Sequence, residues 1–315
     1  MKRILVTGLT GFAGSHLLEH LLKKENKVYG TYLSDNGLGN LGEKATLRRI
    51  DLTEKEEVYS LIEEVKPDLI YHLAAMSSPA KSFQQPTESI FNNVSAELNI
   101  LEALRQLDLK DTKTLIVSTA EVYGKVSPKD LPIDEETPLN PASPYAVSKV
   151  AQDFLGLQYF NSYGLQCVRV RPFNHTGPGQ TDAFVVPAFA KKIVEIEKGK
   201  RDPVLMVGNL EAKRDFTDVR DMVRAYELIL EKGTPGEVYN IGSGKSFKIG
   251  DILDSLLKMS DKKIKVEEDQ ALLRPSDTPE LICDYSKMEK ITGWKPEIPF
   301  EKTLKDTLDY WRNIL

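Results

Sequence analysis

Tyr145 and Lys149 stand four residues apart in the stretch Ser143-Pro144-Tyr145-Ala146-Val147-Ser148-Lys149. Positions i and i+4 share one face of a helix, so a phenol and an ammonium there can point into one cleft. A cation beside a phenol favours the phenolate, which predicts a tyrosine pKa below its usual value of about 10. Such a tyrosine gives or takes a proton near neutral pH. Ser118 and Thr119 follow the apolar run Leu115-Ile116-Val117 and bring two hydroxyls, and Glu121 brings a carboxylate. His72 has two readings, a packed strand histidine or a catalytic base. The four histidines are scattered, so no metal-ligand spacing is present. Cys167 and Cys283 are too few for a disulfide framework and fit a reducing compartment.

These groups need rigid elements to hold them. Ser143 is a suitable helix cap and Pro144 a suitable first-turn residue. Val147, Val150, Ala151, Phe154 and Leu157 recur at helical spacing, which predicts that they form the buried face of that helix. At the start of the chain, the strand Ile4-Leu5-Val6 leads into Thr7-Gly8-Leu9-Thr10-Gly11-Phe12-Ala13-Gly14 and then into a helix carrying Leu17, Leu18, Leu21 and Leu22. Strand, glycine-rich turn and helix is the context of a dinucleotide fingerprint. Glycines there let backbone approach a pyrophosphate, and the helix N-terminus supplies N–H groups and the positive end of its dipole. The place for an acid on the adenosine ribose, after the strand Val28 to Thr31, holds Tyr32, with Asp35 three residues on. Ser34, Arg48 and Arg49 are the candidates for a 2′-phosphate. NAD and NADP therefore both stay open.

Ile50-Asp51-Leu52 reads as a third strand end, with Asp51 near the adenine. Thr53 and Glu56 read as a capping box for a helix over Val58, Leu61, Ile62 and Val65. Leu69 to His72 runs as a strand into the small residues Ala74 and Ala75, where backbone can pass close to a cofactor. A helix is expected over 92–107 with Val94, Leu98, Leu101 and Leu104 inside, then strands at 115–119 and 167–170. This alternation predicts an α/β fold, a Rossmann-type doubly wound parallel sheet, with strand C-termini facing the site. The loop Arg171 to Gly179 marks the passage to a smaller C-terminal α/β substrate-binding lobe. The expected division is a dinucleotide-binding part over 1–172 and a substrate part over 173–315, with segments near 214–241 returning to the first.

The chain of 315 residues carries 42 Lys and Arg against 47 Asp and Glu, a formal net charge of −5. A mildly acidic chain without a basic block does not read as a nucleic-acid binder. No apolar run approaches the roughly 20 residues of a membrane span. The opening Met1-Lys2-Arg3 and the apolar residues after it read as a strand rather than a leader, because glycines break the run. A cytoplasmic protein is expected.

Together these residues resemble the extended short-chain dehydrogenase/reductase family, in its nucleotide-sugar branch. The carriers are Thr7-Gly8-x-x-Gly11-x-x-Gly14, Asp51-Leu52, His72-Leu73-Ala74-Ala75, Asn93-Val94 with Asn99, Ser118-Thr119-x-Glu121-Val122-Tyr123-Gly124, Tyr145-x-x-x-Lys149 and Arg171-Pro172-Phe173-Asn174. The second half adds Arg214-Asp215-Phe216-Thr217-Asp218-Val219-Arg220-Asp221, Asn240-Ile241-Gly242-Ser243-Gly244, Arg274-Pro275 and Thr292-Gly293-Trp294-x-Pro296. The resemblance implies NADPH or NADH as cofactor, held by the glycine turn with Thr10, Phe12 and Ala13, and by Asp51, Leu52, Leu73, Ala74, Ala75, Asn93, Ser118, Tyr145, Lys149 and Pro172. It implies catalysis by Thr119, Tyr145 and Lys149, with Glu121 and Asn99 as further candidates, Asn99 organising a relay water. It implies substrate contacts from Ser77, Thr119, Asn174, Lys191, Arg214, Arg274 and Asp277. Lys191 and Lys192 each have the alternative of a solvated face, and Arg220 that of an ion pair with neighbouring aspartates.

Within the branch, Arg171 to Gln180 and Gly208-Asn209-Leu210-x-Ala212-x-Arg214-Asp215-Phe216 are most similar to the reductases of GDP-4-keto-6-deoxy-D-mannose. The GDP-mannose 4,6-dehydratases stand next. Phe12-Ala13 in the glycine turn and Thr31-Tyr32-Leu33 after the second strand depart from the dehydratase pattern, while Glu121 matches its base. A GDP-sugar substrate is thus implied, and so is a homodimer built on a four-helix interface from helices 92–107 and 145–161. A nucleotide-sugar epimerase and a nucleotide-binding scaffold without activity are the other readings.

Overall fold

The computed structural model describes residues 1–35, 37–272 and 280–315. The chain starts with β1 (Lys2–Thr7), α1 (Phe12–Leu21), β2 (Asn26–Tyr32), the short α2 (Leu41–Lys44), β3 (Thr46–Arg49), α3 (Lys55–Val65) and β4 (Leu69–His72). It continues with α4 (Pro79–Gln84), α5 (Pro86–Gln106), β5 (Lys113–Val117), α6 (Pro144–Tyr163) and β6 (Cys167–Pro172). Beyond these come β7 (Asn174–Thr176), α7 (Val185–Glu197), β8 (Val204–Val207), β9 (Lys213–Asp218), α8 (Val219–Lys232) and β10 (Val238–Ile241). The last are β11 (Ser246–Lys248), α9 (Ile249–Lys258), β12 (Lys265–Glu268), β13 (Glu280–Leu281), α10 (Ser286–Thr292) and α11 (Phe300–Ile314).

Strands such as Ile4-Leu5-Val6 and Leu69-Ile70-Tyr71 are apolar on both faces and buried on both, as a sheet covered by helices on each side requires. The seven-stranded sheet has the order β10-β6-β5-β4-β1-β2-β3, every pair parallel. The order reverses between β1 and β4. That switch point opens a crevice at the strand C-termini, the usual ligand position in such sheets. The expected Rossmann-type sheet is therefore present.

The residues after Pro172 contribute to two places. Strand β10 pairs with β6 at the sheet edge, and α8 packs Val219, Met222, Val223 and Tyr226 into the same core as Leu17, Leu18 and Leu21 of α1. Strands β7, β9, β11 and β13 form a second sheet, and β8 pairs with β12. Helices α7, α9 and α11 enclose a separate core that includes Phe189, Ile193, Leu205, Phe216, Leu253 and Leu304.

Three local expectations are corrected. Helix α5 begins at Pro86, six residues before the expected start, because proline is at home in a first turn. The third strand ends at Arg49 rather than Leu52. Thr53 and Glu56 form no capping box. Asp51 captures Thr53 instead, its Oδ1 accepting from the Thr53 N–H (2.9 Å) and hydroxyl (2.8 Å), and α3 starts after Glu54 without a side-chain cap.

A larger correction concerns α6. Its start follows expectation: the Ser143 hydroxyl accepts the Ala146 N–H at 3.1 Å, Pro144 takes the first turn, and Gly164 ends the helix with φ of +71°. Its buried face is shifted from the expected one, however: Val150 packs against a core cluster, and Ala151 and Leu157 are half-buried. Val147 and Phe154 are 44% and 50% exposed, and the buried face carries Tyr145, Ser148, Lys149, Gln152, Asp153, Gly156 and Tyr159. Ser148, Lys149 and Asp153 have hydrogen-bond partners inside the molecule, which makes their burial tolerable, whereas Gln152 reaches His72 with its nitrogen and leaves its Oε1 without a partner. On α5, Leu101 and Leu104 are buried as expected, but Leu98 is 36% exposed.

Candidate active site

The turn after β1 fits a dinucleotide because its glycines cannot be anything larger. Gly8 has φ of +66°, and a Cβ on it would lie 2.9 Å from the Ala74 Cα. A Cβ on Gly14 would lie 2.7 Å from the Leu9 carbonyl oxygen and closer still to that of Gly8. Helix α1 then opens with Gly11 at its N-cap, no side-chain cap and no acidic residue in its first turn. Its first N–H groups are left for an anion. Thr10, Gly11, Phe12 and Ala13 line the mouth of a cavity of about 1060 Å³. Phe12 is fixed there by the His175 ring, stacked at 6.0 Å.

From the turn the cavity runs two ways. One arm passes Leu73, Ala74 and Ala75 to Tyr32, Ser34, Asp51 and Leu52. The Thr7 hydroxyl steadies its floor by accepting the N–H groups of Leu73 (3.1 Å) and Ala74 (3.2 Å). The other arm passes Ser77, Ser118, Thr119, Glu121, Pro172 and Asn174, then Lys192, Asn209 and Arg214.

Where the arms meet, α6 and the end of β5 bring Tyr145, Lys149 and Thr119 together. Tyr145 is 7% exposed and Lys149 4%. Thr119 is hydrogen-bonded to the Tyr145 hydroxyl, and its Oγ1 also accepts the Glu121 N–H at 3.3 Å. Lys149 Nζ donates to the Val117 carbonyl at 2.9 Å, and the Ser118 hydroxyl donates to the Lys149 carbonyl at 3.1 Å. Asn93 ties α5 to this corner, donating to Ser148 Oγ (2.9 Å) while its own Oδ1 accepts the Met76 N–H (2.7 Å). Burial pulls the Lys149 ammonium down to about 8, against an opposing pull from Glu97.

The expected acidification of Tyr145 is not found. Burial pushes its pKa up, Glu121 adds to that, and only the Thr119 hydrogen bond works the other way. Lys149 is held on the Val117 carbonyl, so desolvation wins and the tyrosine stays a phenol. His72 is the packed strand histidine of its two readings. It is buried, its Nδ1 lies 2.8 Å from Thr7 Oγ1, and burial drives it down to about 3.

Two candidate residues are displaced from the cavity. Asn99 is absent from the cavity lining and donates to the carbonyls of Leu52 and Thr53, both at 3.0 Å, so it anchors the loop after β3. Lys191 pairs with Asp182 at 2.7 Å and lies over the Trp311 ring. Of these two neighbours, Lys192 is the one that lines the cavity. Spacing carried that signal: Val185, Ala188, Phe189 and Lys192 recur on one helical face, and Lys191 is off it. Arg220 pairs with Asp218 (2.7 Å), as expected of a neighbouring aspartate, and also with the distant Asp306 (2.8 Å), while Asp221 pairs with Arg224 instead. Asp215 accepts the N–H groups of Ser243, Gly244 and Cys283 and so binds β9 to two neighbouring loops. Arg274 and Asp277 lie outside the described residues. Among the described residues no group of His, Cys, Asp and Glu could hold a metal ion, and no helix is long and apolar enough to cross a membrane.

A family model described as GDP-mannose 4,6 dehydratase matches residues 5–307. The chain is 33% identical over 312 residues to the GDP-6-deoxy-D-mannose reductase of Pseudomonas aeruginosa, covering 99% of this chain and 98% of that one. It is 32% identical over 329 residues to GDP-mannose 4,6 dehydratase 2 of Arabidopsis thaliana, covering 98% and 86%. The solved structure of RMD from Pseudomonas aeruginosa complexed with NADPH superimposes with a TM-score of 0.89 at 32% identity, over 100% of both chains.

Proposed function

The chain belongs to the GDP-mannose 4,6-dehydratase family of extended short-chain dehydrogenases/reductases, and on that premise we propose that it reduces the C4 keto group of GDP-4-keto-6-deoxy-D-mannose. The product is GDP-6-deoxy-D-mannose (GDP-D-rhamnose), and the reductant is NADPH or NADH. The observation that supports this direction of reaction is the placement of Tyr145, buried and lining the cavity together with Thr119 and Lys149. A phenol kept protonated by burial, at the junction of the two arms, is an acid waiting for an alkoxide. When bound, the nicotinamide supplies the hydride. The fit to a dinucleotide rests on the glycine cradle and on the uncapped start of α1.

The residues of the chain do the rest. Thr119 hydrogen-bonds the keto oxygen and holds the Tyr145 hydroxyl toward it. Tyr145 gives its proton to that oxygen as charge develops. Lys149, whose ammonium the Val117 carbonyl fixes at the cavity wall, holds the cofactor ribose. Asn174, Lys192 and Arg214 line the arm that suits the diphosphate, where a guanidinium matches phosphate oxygens. The exposed apolar stripes on α5 and α6, with Phe91 at 58% and Phe154 at 50%, support a homodimer in which these two helices meet their counterparts.

Glu121 favours one alternative. It lines the cavity beside Thr119, where a carboxylate can remove the C5 proton of a GDP-mannose 4,6-dehydratase reaction. One experiment separates the two. Purified protein is mixed with GDP-4-keto-6-deoxy-D-mannose and NADPH, then NADH, and the sugar is identified by NMR. Stoichiometric loss of reduced nicotinamide with GDP-D-rhamnose as product supports the reductase. No reduction, together with a 4-keto sugar formed from GDP-mannose, establishes the dehydratase.

A further inference from the structure

The adenosine arm of the cavity ends where β2 and β3 stop side by side. Tyr32 pairs with Arg49 and Thr31 with Arg48 in the parallel register, and the Ile50 N–H donates to the Tyr32 carbonyl at 3.0 Å. Tyr32, Leu33 and Ser34 line the arm from one strand end, and Ile50 and Asp51 from the other. Neighbouring residues of a strand point to opposite faces, so Arg48 and Arg49 do not serve one site together. Arg48 is turned to α3, where its guanidinium pairs with Glu64 at 2.7 Å. Arg49 is held at the rim of the arm, its Nε donating to the Leu33 carbonyl at 3.3 Å, one residue from Ser34. Its two terminal nitrogens make no hydrogen bond and no ion pair among the described residues. The other charges at this mouth are engaged or set apart. Asp51 Oδ1 accepts from Thr53, Glu57 accepts the Asp51 N–H at 3.2 Å, and Lys44 pairs with Glu19. Asp35 is exposed and absent from the cavity lining.

We propose that Arg49, with Ser34 beside it, is the subsite for a 2′-phosphate on the adenosine ribose, and that it sets a preference for NADPH over NADH. The inference rests on the reading of the crevice as a dinucleotide site and narrows its cofactor. A phosphate monoester carries close to two negative charges at pH 7 and three acceptor oxygens. A guanidinium fixed through Nε keeps both terminal nitrogens for such a group, and its planar fork matches two phosphate oxygens. Because the Leu33 carbonyl already orients it, Arg49 gives up less freedom on binding than a loose side chain does. The feature that selects NAD is an acid at the end of β2, bonded to the bare ribose. Here that place holds Tyr32, and the next acid, Asp35, stands outside the lining. Arg48 and Arg49 look alike in the sequence; the Glu64 pair removes the first and leaves the second.

Calorimetric titration with 2′,5′-ADP and with 5′-ADP isolates the subsite, because the two differ by the 2′-phosphate alone and neither needs turnover. Wild-type protein is expected to bind 2′,5′-ADP roughly 10- to 100-fold more tightly, the scale of a hydrogen bond to a charged group. Arg49→Gln should remove most of that gap and leave 5′-ADP affinity within about twofold of wild type. Arg49→Lys keeps the charge without the fork and should retain part of the gap. Arg48→Gln should leave the gap intact. The subsite is at the surface, so added salt should narrow the gap in wild type. In turnover, Arg49→Gln should raise KM for NADPH and leave KM for NADH unchanged. Equal binding of the two nucleotides by wild type, or tighter binding of 5′-ADP, overturns the proposal, and this comparison needs no variant to fold. A gap that survives Arg49→Gln, or that vanishes in Arg48→Gln, overturns it as well. If the 4-keto sugar is not reduced, the functional reading fails while the nucleotide comparison still decides the subsite.

Discussion

Replacing Asp153 by alanine removes a carboxylate from the most buried ion cluster beneath the site. Asp153 has no exposed side-chain surface, and its partners Arg169 and Arg171 are 7% and 5% exposed. Its Oδ2 accepts from Arg171 Nε at 2.7 Å, and its Oδ1 pairs with Arg169. Breaking a buried pair from one side costs about 3 to 5 kcal/mol, because the remaining charge is left without compensation. Here two guanidiniums are left, which argues for the upper end. Both keep hydrogen bonds, Arg169 to the Gly236 carbonyl (2.8 Å) and Arg171 to the Tyr123 hydroxyl (3.0 Å), which argues for the lower. A loss of about 4 kcal/mol is expected. At roughly 2 °C per kcal/mol for a large chain, Tm falls by about 8 °C. Urea unfolding followed by tryptophan fluorescence measures it, since Trp294 and Trp311 report separate cores. Glu64→Ala is the control: its pair with Arg48 is about half exposed and should cost less than about 1 kcal/mol. If Asp153→Ala and Glu64→Ala unfold within about 1 kcal/mol of each other, the burial argument is refuted.

Tyr145→Phe should lower kcat by roughly 100- to 10,000-fold, the usual scale of a lost general acid, with nicotinamide binding unchanged by fluorescence titration; near-normal turnover removes Tyr145 from its role. Gly14→Ala drives a methyl group into the Leu9 and Gly8 carbonyls and should abolish measurable cofactor binding; binding within about twofold of wild type would contradict the tight turn. His72 gives a pH test. Its folded pKa of about 3 lies below the ordinary 6.5, so below that value the unfolded chain takes up a proton that the folded chain refuses. Stability is therefore lost as pH falls from 6.5 toward 3, by on the order of 1 to 3 kcal/mol. Urea midpoints for wild type and His72→Gln should converge with acid, and parallel curves would show that His72 is not the source.

The sheet and the glycine turn were legible because each rests on local rules: apolar runs make covered strands, and Gly8 and Gly14 have no room for a side chain. The face of α6 was misread for a physical reason. Periodicity tells which residues share a side of a helix, but not which way that side looks. Val147 and Phe154 look outward, while Ser148, Lys149 and Asp153 are turned inward and satisfied there by residues from α5, β5 and β6, and Gln152 reaches His72 of β4. No reading of α6 alone contains those partners. Tyr145 failed similarly: the Lys149 charge was visible in the spacing, but the Val117 carbonyl that holds it was not. The partners of Asn99 and Lys191 were not legible either, because a matching residue type does not reveal which neighbour captures it first.

The edge strand β10 has a consequence for the growing chain. β6 is complete at Pro172, but its sheet neighbour lies at Val238–Ile241. At roughly 5 to 20 residues per second, that edge waits about 3 to 13 s on the ribosome with unpaired backbone groups. The same core also needs Met288 and Trp294, which are made later still. Helices α7 and strands β8 and β9 emerge during the gap, next to an incomplete sheet. The protein thus cannot finish its first core by folding in order of synthesis: the β6 edge stays open until Val238–Ile241 are made, and the core closes only with Trp294.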